Sequence, residues 1–336
     1  MKSEKLLNII VPIYNSEKHL KNCLNSILGQ TYKNIKLLCI DDGSSDSSPE
    51  IIDKYAKIDS RIFVIHKSNG GVGSARNMGL DQLDYSIDSY ISFIDSDDYV
   101  ENDYFELMIK RLETDDSDIV ASTRTIVNEN GKTVRGLKTY SEDCVIDGFQ
   151  ATKDVVRCNI TPGVVMKVYK TALLKKKRFK EDIFIGEDTE FTYRVFALSN
   201  KVSIYHCPKY INNRFSGDVS LGKSKWNNKR LISSFRCDYS RCLNKIDNFS
   251  NQQNEEIMRE IYNDIADGFL ELYPRFSFKT ATSEEKKFIK GYKKYINKNG
   301  IIKAYVPFRK NAKIKKYSYL YLRFLYRFMY KFFIKN

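Results

Sequence analysis

The sequence predicts an α/β fold, a mainly parallel sheet flanked by helices, followed by a mostly helical region. Three observations predict it. Short apolar, β-branched runs alternate with amphipathic stretches through the first hundred or so residues. A polar cluster closes each run, at the strand ends where such sheets bind ligands. Beyond about residue 220 the pattern becomes helical, basic and rich in Tyr and Phe. A boundary there separates residues 1–220 from residues 221–336.

The elements follow in order. Leu6 to Val11 is a buried strand ending at Pro12. Asn15 or Ser16 caps a helix with Leu20, Cys23, Leu24, Ile27 and Leu28 on one face, and Gly29 ends it. Ile35 to Ile40 is a second strand, and Pro49 to Ile58 a second helix. Ile62 to Ile65 and Tyr90 to Ile94 are strands on either side of a helix from Ser74 to Leu80. Asp103 to Leu112 is a further helix. From Asp118 short strands and turns take over, with Asn130-Gly131 as one turn and Val164 to Tyr169 as a strand. Asp188 to Leu198 is a helix, and residues 202–205 and 209–211 are strands.

Composition limits the function classes. A chain of 336 residues with 42% hydrophobic residues is long enough to bury a real core. The net charge of +14 fits nucleic acid, an anionic membrane or a phosphorylated substrate. Seven cysteines without a CxxC pair point to reduced, structural thiols of a cytosolic protein. The apolar run Leu6 to Val11 is too short for the core of a signal peptide. No uncharged apolar stretch reaches the about 18 residues of a membrane span.

Four clusters carry chemistry. In Phe93-Ile94-Asp95-Ser96-Asp97-Asp98, three carboxylates past a buried strand repel one another unless a cation neutralises them. Hard oxygen ligands suit Mg²⁺ or Mn²⁺. The plainer alternative is that Asp97 or Asp98 caps the next helix. In Asp41-Asp42-Gly43-Ser44-Ser45-Asp46, Asp41 at a strand end can accept from a nucleobase N–H, while Asp46 or Ser47 caps a helix. Asn69-Gly70-Gly71-Val72-Gly73-Ser74-Ala75-Arg76-Asn77 is either a loop closing over a phosphorylated ligand, with Arg76 reaching inward, or a plain Gly-rich turn. Gly186-Glu187-Asp188 opens a helix, where acids serve either as a cap or as a general base.

Taken together the clusters resemble family 2 glycosyltransferases with a GT-A fold, of the kind found among bacterial capsule and lipopolysaccharide sugar transferases. The matching residues run Val11-Pro12-Ile13-Tyr14-Asn15, Gln30-Thr31-Tyr32, Asp41 to Asp46, Asn69 to Asn77, Asp95 to Asp98 and Gly186 to Asp188, in the family's order and spacing. The resemblance implies that residues 1–220 are a GT-A catalytic domain transferring a sugar from a UDP-sugar donor to a glycan acceptor, with inversion. Pro12 and Tyr14 would line the uridine pocket, and Asp41 would bond the uracil. Arg76 would help hold the nucleotide, Asp95 would bond the ribose, and Asp97 would hold Mn²⁺ or Mg²⁺. Asp188 would be the catalytic base, with Glu187 near the acceptor or the donor sugar. The Gln-x-x-Arg-Trp motif of processive members is missing, which implies single-sugar transfer. Pro208 to Ser220 is similar to a segment that follows the base in these transferases, but departs from it at Asn212. His206 is either a metal ligand or a structural residue at a strand end.

Arg323, Arg327, Lys331 and Lys335 recur every fourth residue among Leu320, Phe324, Phe328, Met329 and Phe332. As a helix this gives a basic stripe beside a broad apolar-aromatic face, the pattern of a helix lying in a membrane interface. The alternative is packing on the catalytic domain or on a second copy in a homo-oligomer. An anionic inner membrane face would suit both the charge and a lipid-linked acceptor. Two other classes fit less well. A sugar-nucleotide pyrophosphorylase needs a Gly-rich basic loop after the first strand, where this chain has Pro12-Ile13-Tyr14-Asn15. A non-catalytic scaffold or nucleic-acid-binding protein leaves Asp95 to Asp98 without a purpose.

Overall fold

The computed structural model describes residues 4–128, 131–135, 140–214, 227–243, 246–299 and 301–304. The chain divides into two compact units, Met1–Asp218 and Val219–Asn336.

In the first unit β1 (Leu7–Ile13), β2 (Ile35–Asp41), β3 (Ile62–His66) and β4 (Tyr90–Phe93) alternate with α1 (Glu17–Leu28), α2 (Ser48–Ile58) and α3 (Val72–Asp81). Then come β5 (Tyr99–Val100), α4 (Tyr104–Thr114), β6 (Ile119–Asn128), β7 (Gly131–Arg135), β8 (Cys144–Asp147), α5 (Gly148–Val156), β9 (Lys167–Lys170), α6 (Glu187–Phe196) and β10 (Lys201–Asn213). The sheet order is β3-β2-β1-β4-β9-β6-β10-β5, with β7 beside β6 and β8 beside β10. The run β3-β2-β1-β4 is parallel, as the strand–helix alternation requires. Past β4 the sheet is mixed: β9 runs antiparallel to both β4 and β6, and β6 runs parallel to β10.

β1 is buried along its whole length, and so are Leu20, Cys23, Leu24 and Ile27 of α1, the face read from the spacing. A Cβ built on Gly79 of α3 would lie 2.7 Å from Ile10 Cγ2, so only glycine lets this helix approach β1 so closely. Burying Ile10 there contributes about 1.5–3 kcal/mol.

Three local readings differ from the structure. Residues 202–205 and 209–211 belong to one strand, β10, whose pairing with β6 shifts register between Tyr205 and Tyr210. β9 starts at Lys167 and not at Val164, because Met166 takes a left-handed φ of 61° that breaks the extended run. Asp97 and Asp98 do not cap the next helix; β5 intervenes, and Asp103 stands at the N-cap of α4.

The second unit contains α7 (Asn228–Leu243), α8 (Asn251–Leu272), α9 (Ser283–Lys298) and α10 (Ile301–Ala304). Reciprocal capping boxes, Ser250 with Gln253 and Thr282 with Glu285, start α8 and α9. Phe235, Phe269 and Tyr292 pack against one another, and buried Arg241 pairs with Asp238 and Asp264. No helix among the described residues is long and apolar enough to cross a membrane. The basic, aromatic stretch from Tyr317 to Lys335, and residues 215–220 of the Pro208 to Ser220 segment, lie outside the described residues.

Candidate active site

Two of the four sequence clusters follow β2 and β4; the Gly-rich cluster after β3 is tied to them through Asp42, and the start of α6 through Arg76. Ile13 sits beside Asp41 in the β1–β2 register, and Ile10 beside Phe93 in β1–β4. Pro12 is buried, while Tyr14 stands just past the strand at 53% exposure, open to a flat ligand. The loops are tied together by polar side chains. Asn15 Oδ1 accepts from Ser45 N–H at 2.8 Å, and the hydroxyls of Ser16 and Ser96 lie 2.6 Å apart. Asp46 accepts from the backbone N–H of both Glu17 and Ser48.

Asp41 is buried. Its Oδ1 accepts from Ser44 N–H at 3.0 Å, and its Oδ2 lies 3.0 Å from His66 Nδ1. The other ring nitrogen of His66 reaches Asp53 at 3.1 Å. The hydrogen bond to Asp41, and a weaker one to Asp53, raise the His66 pKa. Asp42 closes the Gly-rich loop: its carboxylate accepts from Gly70 N–H at 2.9 Å, Gly71 N–H at 2.7 Å and Lys67 Nζ at 2.6 Å. Gly71 takes a φ of 89° to start α3.

Arg76 is the centre of the arrangement. It is buried on α3, donates through Nη2 to Asp95 Oδ1 at 2.9 Å and through Nη1 to Glu187 Oε1 at 3.1 Å. Burial disfavours its charge, and the Asp95 and then the Glu187 carboxylates more than restore it. Its guanidinium lies 5.4 Å from the ring centre of Phe179, which stacks in turn on Phe191 of α6 at 3.9 Å. One side chain thus joins the acidic cluster after β4 to the first turn of α6.

Asp95, Asp97 and Asp98 offer carboxylate oxygens within 4.8 Å of one another. Asp98 is already committed. It accepts from Tyr210 Oη at 2.8 Å, from Asn212 Nδ2 at 2.8 Å and from Asn213 N–H at 3.1 Å. Burial, then Asp95 and Asp97, push its pKa well up, while the hydrogen bonds from Tyr210 and Asn212 pull the other way. Asp97 is exposed, and Asp95, whose Oδ1 accepts from Arg76, is half-buried. Such a pair of hard oxygen donors fits Mg²⁺ or Mn²⁺.

Gly186, at a φ of 86°, turns the chain into α6. Glu187 is buried, and burial together with the adjacent Asp188 raises its pKa to about 7 against the opposing pull of Arg76. Asp188 is half-buried. Its Oδ1 accepts from Thr189 N–H at 2.7 Å, and a Cβ built on Gly163 would lie 3.5 Å from its Oδ2. His206 stands apart on β10, its ring bonded to Asp143 and to the carbonyl of Tyr140. It belongs to no cluster of metal-ligating groups among the described residues.

Sequence reasoning missed Asp42 as the loop's tether and the Tyr210, Asn212 and Asn213 clamp on Asp98. Asn212 is the position at which the sequence departs from the resemblance, and its amide serves Asp98 directly.

Comparison with known proteins bears on the family and the fold. Residues 8–198 match the family model described as glycosyl transferase family 2. The chain is 32% identical over 234 residues to the glycosyltransferase GlyA of Streptococcus pneumoniae, covering 66% of this chain and 32% of GlyA. It is 30% identical over 226 residues to GlyG of the same organism, covering 64% of this chain and 73% of GlyG. The structure of S. aureus TarS 1-349 in complex with UDP-GlcNAc superimposes with a TM-score of 0.70 at 21% identity, covering 93% of this chain and 88% of that one. That likeness concerns the GT-A fold. With its motifs in order, its site assembled on one sheet edge and more than half its length matched, this chain belongs to glycosyl transferase family 2.

Proposed function

We propose that the protein is an inverting glycosyltransferase that moves a single sugar from a UDP-sugar to a lipid-linked glycan acceptor in bacterial surface polysaccharide synthesis, using Mn²⁺ or Mg²⁺. The observation that carries this reading is Arg76, which bonds Asp95 of the acidic cluster and Glu187 beside Asp188. A donor-side site and a base thereby share one rigid link. The UDP-GlcNAc complex of the TarS neighbour supports the choice of a UDP-sugar.

Tyr14 and Pro12 flank the uridine, Asp41 receives the uracil N–H, and Asp95 the ribose. Asp97 and Asp95 would hold the divalent cation, which when bound would supply positive charge against the departing diphosphate. Arg76 adds to that field and keeps Glu187 in place. Asp188 takes the proton from the acceptor hydroxyl as the hydroxyl attacks the anomeric carbon, so a second acid is not needed. The basic C-terminal stretch holds the protein at an anionic membrane surface on the cytoplasmic side, where a lipid-linked acceptor is presented.

Asp188→Asn tests the base. UDP release from UDP-glucose, UDP-galactose and their N-acetyl forms, with water as acceptor, should fall by about 10²–10⁴-fold. The rise in melting temperature with UDP and Mn²⁺ should be retained. Turnover by Asp188→Asn close to that of the wild type would contradict the assignment.

A further inference from the structure

Lys167 opens β9 and is 1% exposed. Its Nζ donates to the backbone carbonyls of Gly163 at 2.6 Å, Thr161 at 2.8 Å and Val165 at 3.4 Å. Three inward carbonyls meet the three N–H donors of one ammonium. The Phe196 ring of α6 lies 5.9 Å away. The backbone at Lys167 is fixed from two sides: Ser92 donates to its carbonyl at 2.8 Å, and its Cα pairs with Ala121 of β6.

Burying a lysine is costly, and a methionine would fill the same length of core at less cost. What the ammonium adds is a tie on the segment from Thr161 to Val165. That segment leads into the left-handed Met166, whose carbonyl accepts from Ser122 N–H, and Val164 accepts from Tyr169 Oη at 3.1 Å. Gly163 sits at its centre, where a Cβ would lie 3.5 Å from Asp188 Oδ2. Burial pulls the pKa of Lys167 down to about 7, and the Asp188 carboxylate draws it back up.

We infer that Lys167 is a positioning residue: its ammonium holds the Thr161–Val165 backbone as the wall beside Asp188 and thereby sets the space in which the base meets the acceptor hydroxyl. The inference rests on the reading of Asp188 as the base. Without the ammonium, three carbonyls lose their donors and turn toward water, and the wall moves with them. Arg76, Asp95, Asp97 and Asp41 make their contacts elsewhere, so nucleotide binding stays as it was.

Lys167→Met keeps the length and removes every donor; Lys167→Gln keeps two. Both are compared with the wild type for kcat and KM of UDP release, using the UDP-sugar the wild type turns over fastest, and for the melting shift with UDP and Mn²⁺. The expected result is a kcat about tenfold to a hundredfold lower in Lys167→Met, an intermediate kcat in Lys167→Gln and an unchanged UDP shift. If Lys167→Met does not fold, Lys167→Gln is read alone, with lowered kcat and intact UDP shift expected. A kcat within twofold of the wild type overturns the inference. So does a parallel loss of turnover and UDP binding, or failure of both variants to fold, since the lysine then serves only the core. Asp188→Asn in the same assay separates the two ideas. An inactive Asp188→Asn beside a fully active Lys167→Met refutes the Lys167 role alone, and an active Asp188→Asn refutes the base and the inference with it.

Discussion

His66 bonds a buried carboxylate from a partly exposed position. It sits between Asp41 and Asp53, and the carboxylates favour its protonated form. A histidine whose folded pKa is raised contributes stability that is fully present below its unfolded value, about 6.5, and lost as pH rises through the folded value. His66→Gln should therefore flatten the fall of melting temperature between pH 6 and pH 8.5. A wild type whose melting temperature does not fall over that range, or a variant with the same slope, would contradict the pairing. Asp41 stood out in the sequence because it ends an apolar strand. Its partner His66 did not, because the pairing crosses from β2 to β3 and no local pattern marks it. The same holds for Lys167: in sequence it is a lysine in an apolar run, and only the carbonyls around it reveal that it is buried.

At the scale of elements, the parallel half of the sheet could be read residue by residue. Its strands are continuous apolar runs bounded by turn residues, and its helices show one buried face. The second half was harder. The irregular stretch around Pro208 interrupts β10 and makes one strand look like two. The clamp on Asp98 joins residues more than a hundred positions apart, beyond any sequence window. Gly79 has a testable role in the legible half. Gly79→Ala forces a methyl into Ile10 and should cost about 1–3 kcal/mol. The gain in helix propensity returns at most about 1 kcal/mol of that. Urea midpoints at unchanged m-value measure the difference; a variant as stable as the wild type would show that α3 does not rest on β1 through this glycine.

For the whole molecule, the net charge of +14 is set against an acidic site at the sheet edge. We propose different partners for the two: a cation and a nucleotide for the carboxylates, anionic lipid for the basic C-terminal sequence. Binding to vesicles containing phosphatidylserine should weaken steeply as salt is raised. It should be lost on removing residues 305–336, while UDP binding persists. Retained vesicle binding without that segment would place the membrane-binding charge elsewhere.

The central claim is that Asp95 and Asp97 hold a cation for a uridine nucleotide beside Asp188. The measurement that tests it most directly is thermal unfolding with UDP, GDP, ADP or CMP, each with Mn²⁺ or with EDTA. At 100 times its dissociation constant a ligand adds about 2.7 kcal/mol of stability, a readily visible shift. The account predicts stabilisation by UDP with Mn²⁺, largely abolished by EDTA and by Asp97→Ala, and little effect from the other nucleotides. Equal shifts with all four nucleotides, or none with UDP and Mn²⁺, would contradict it.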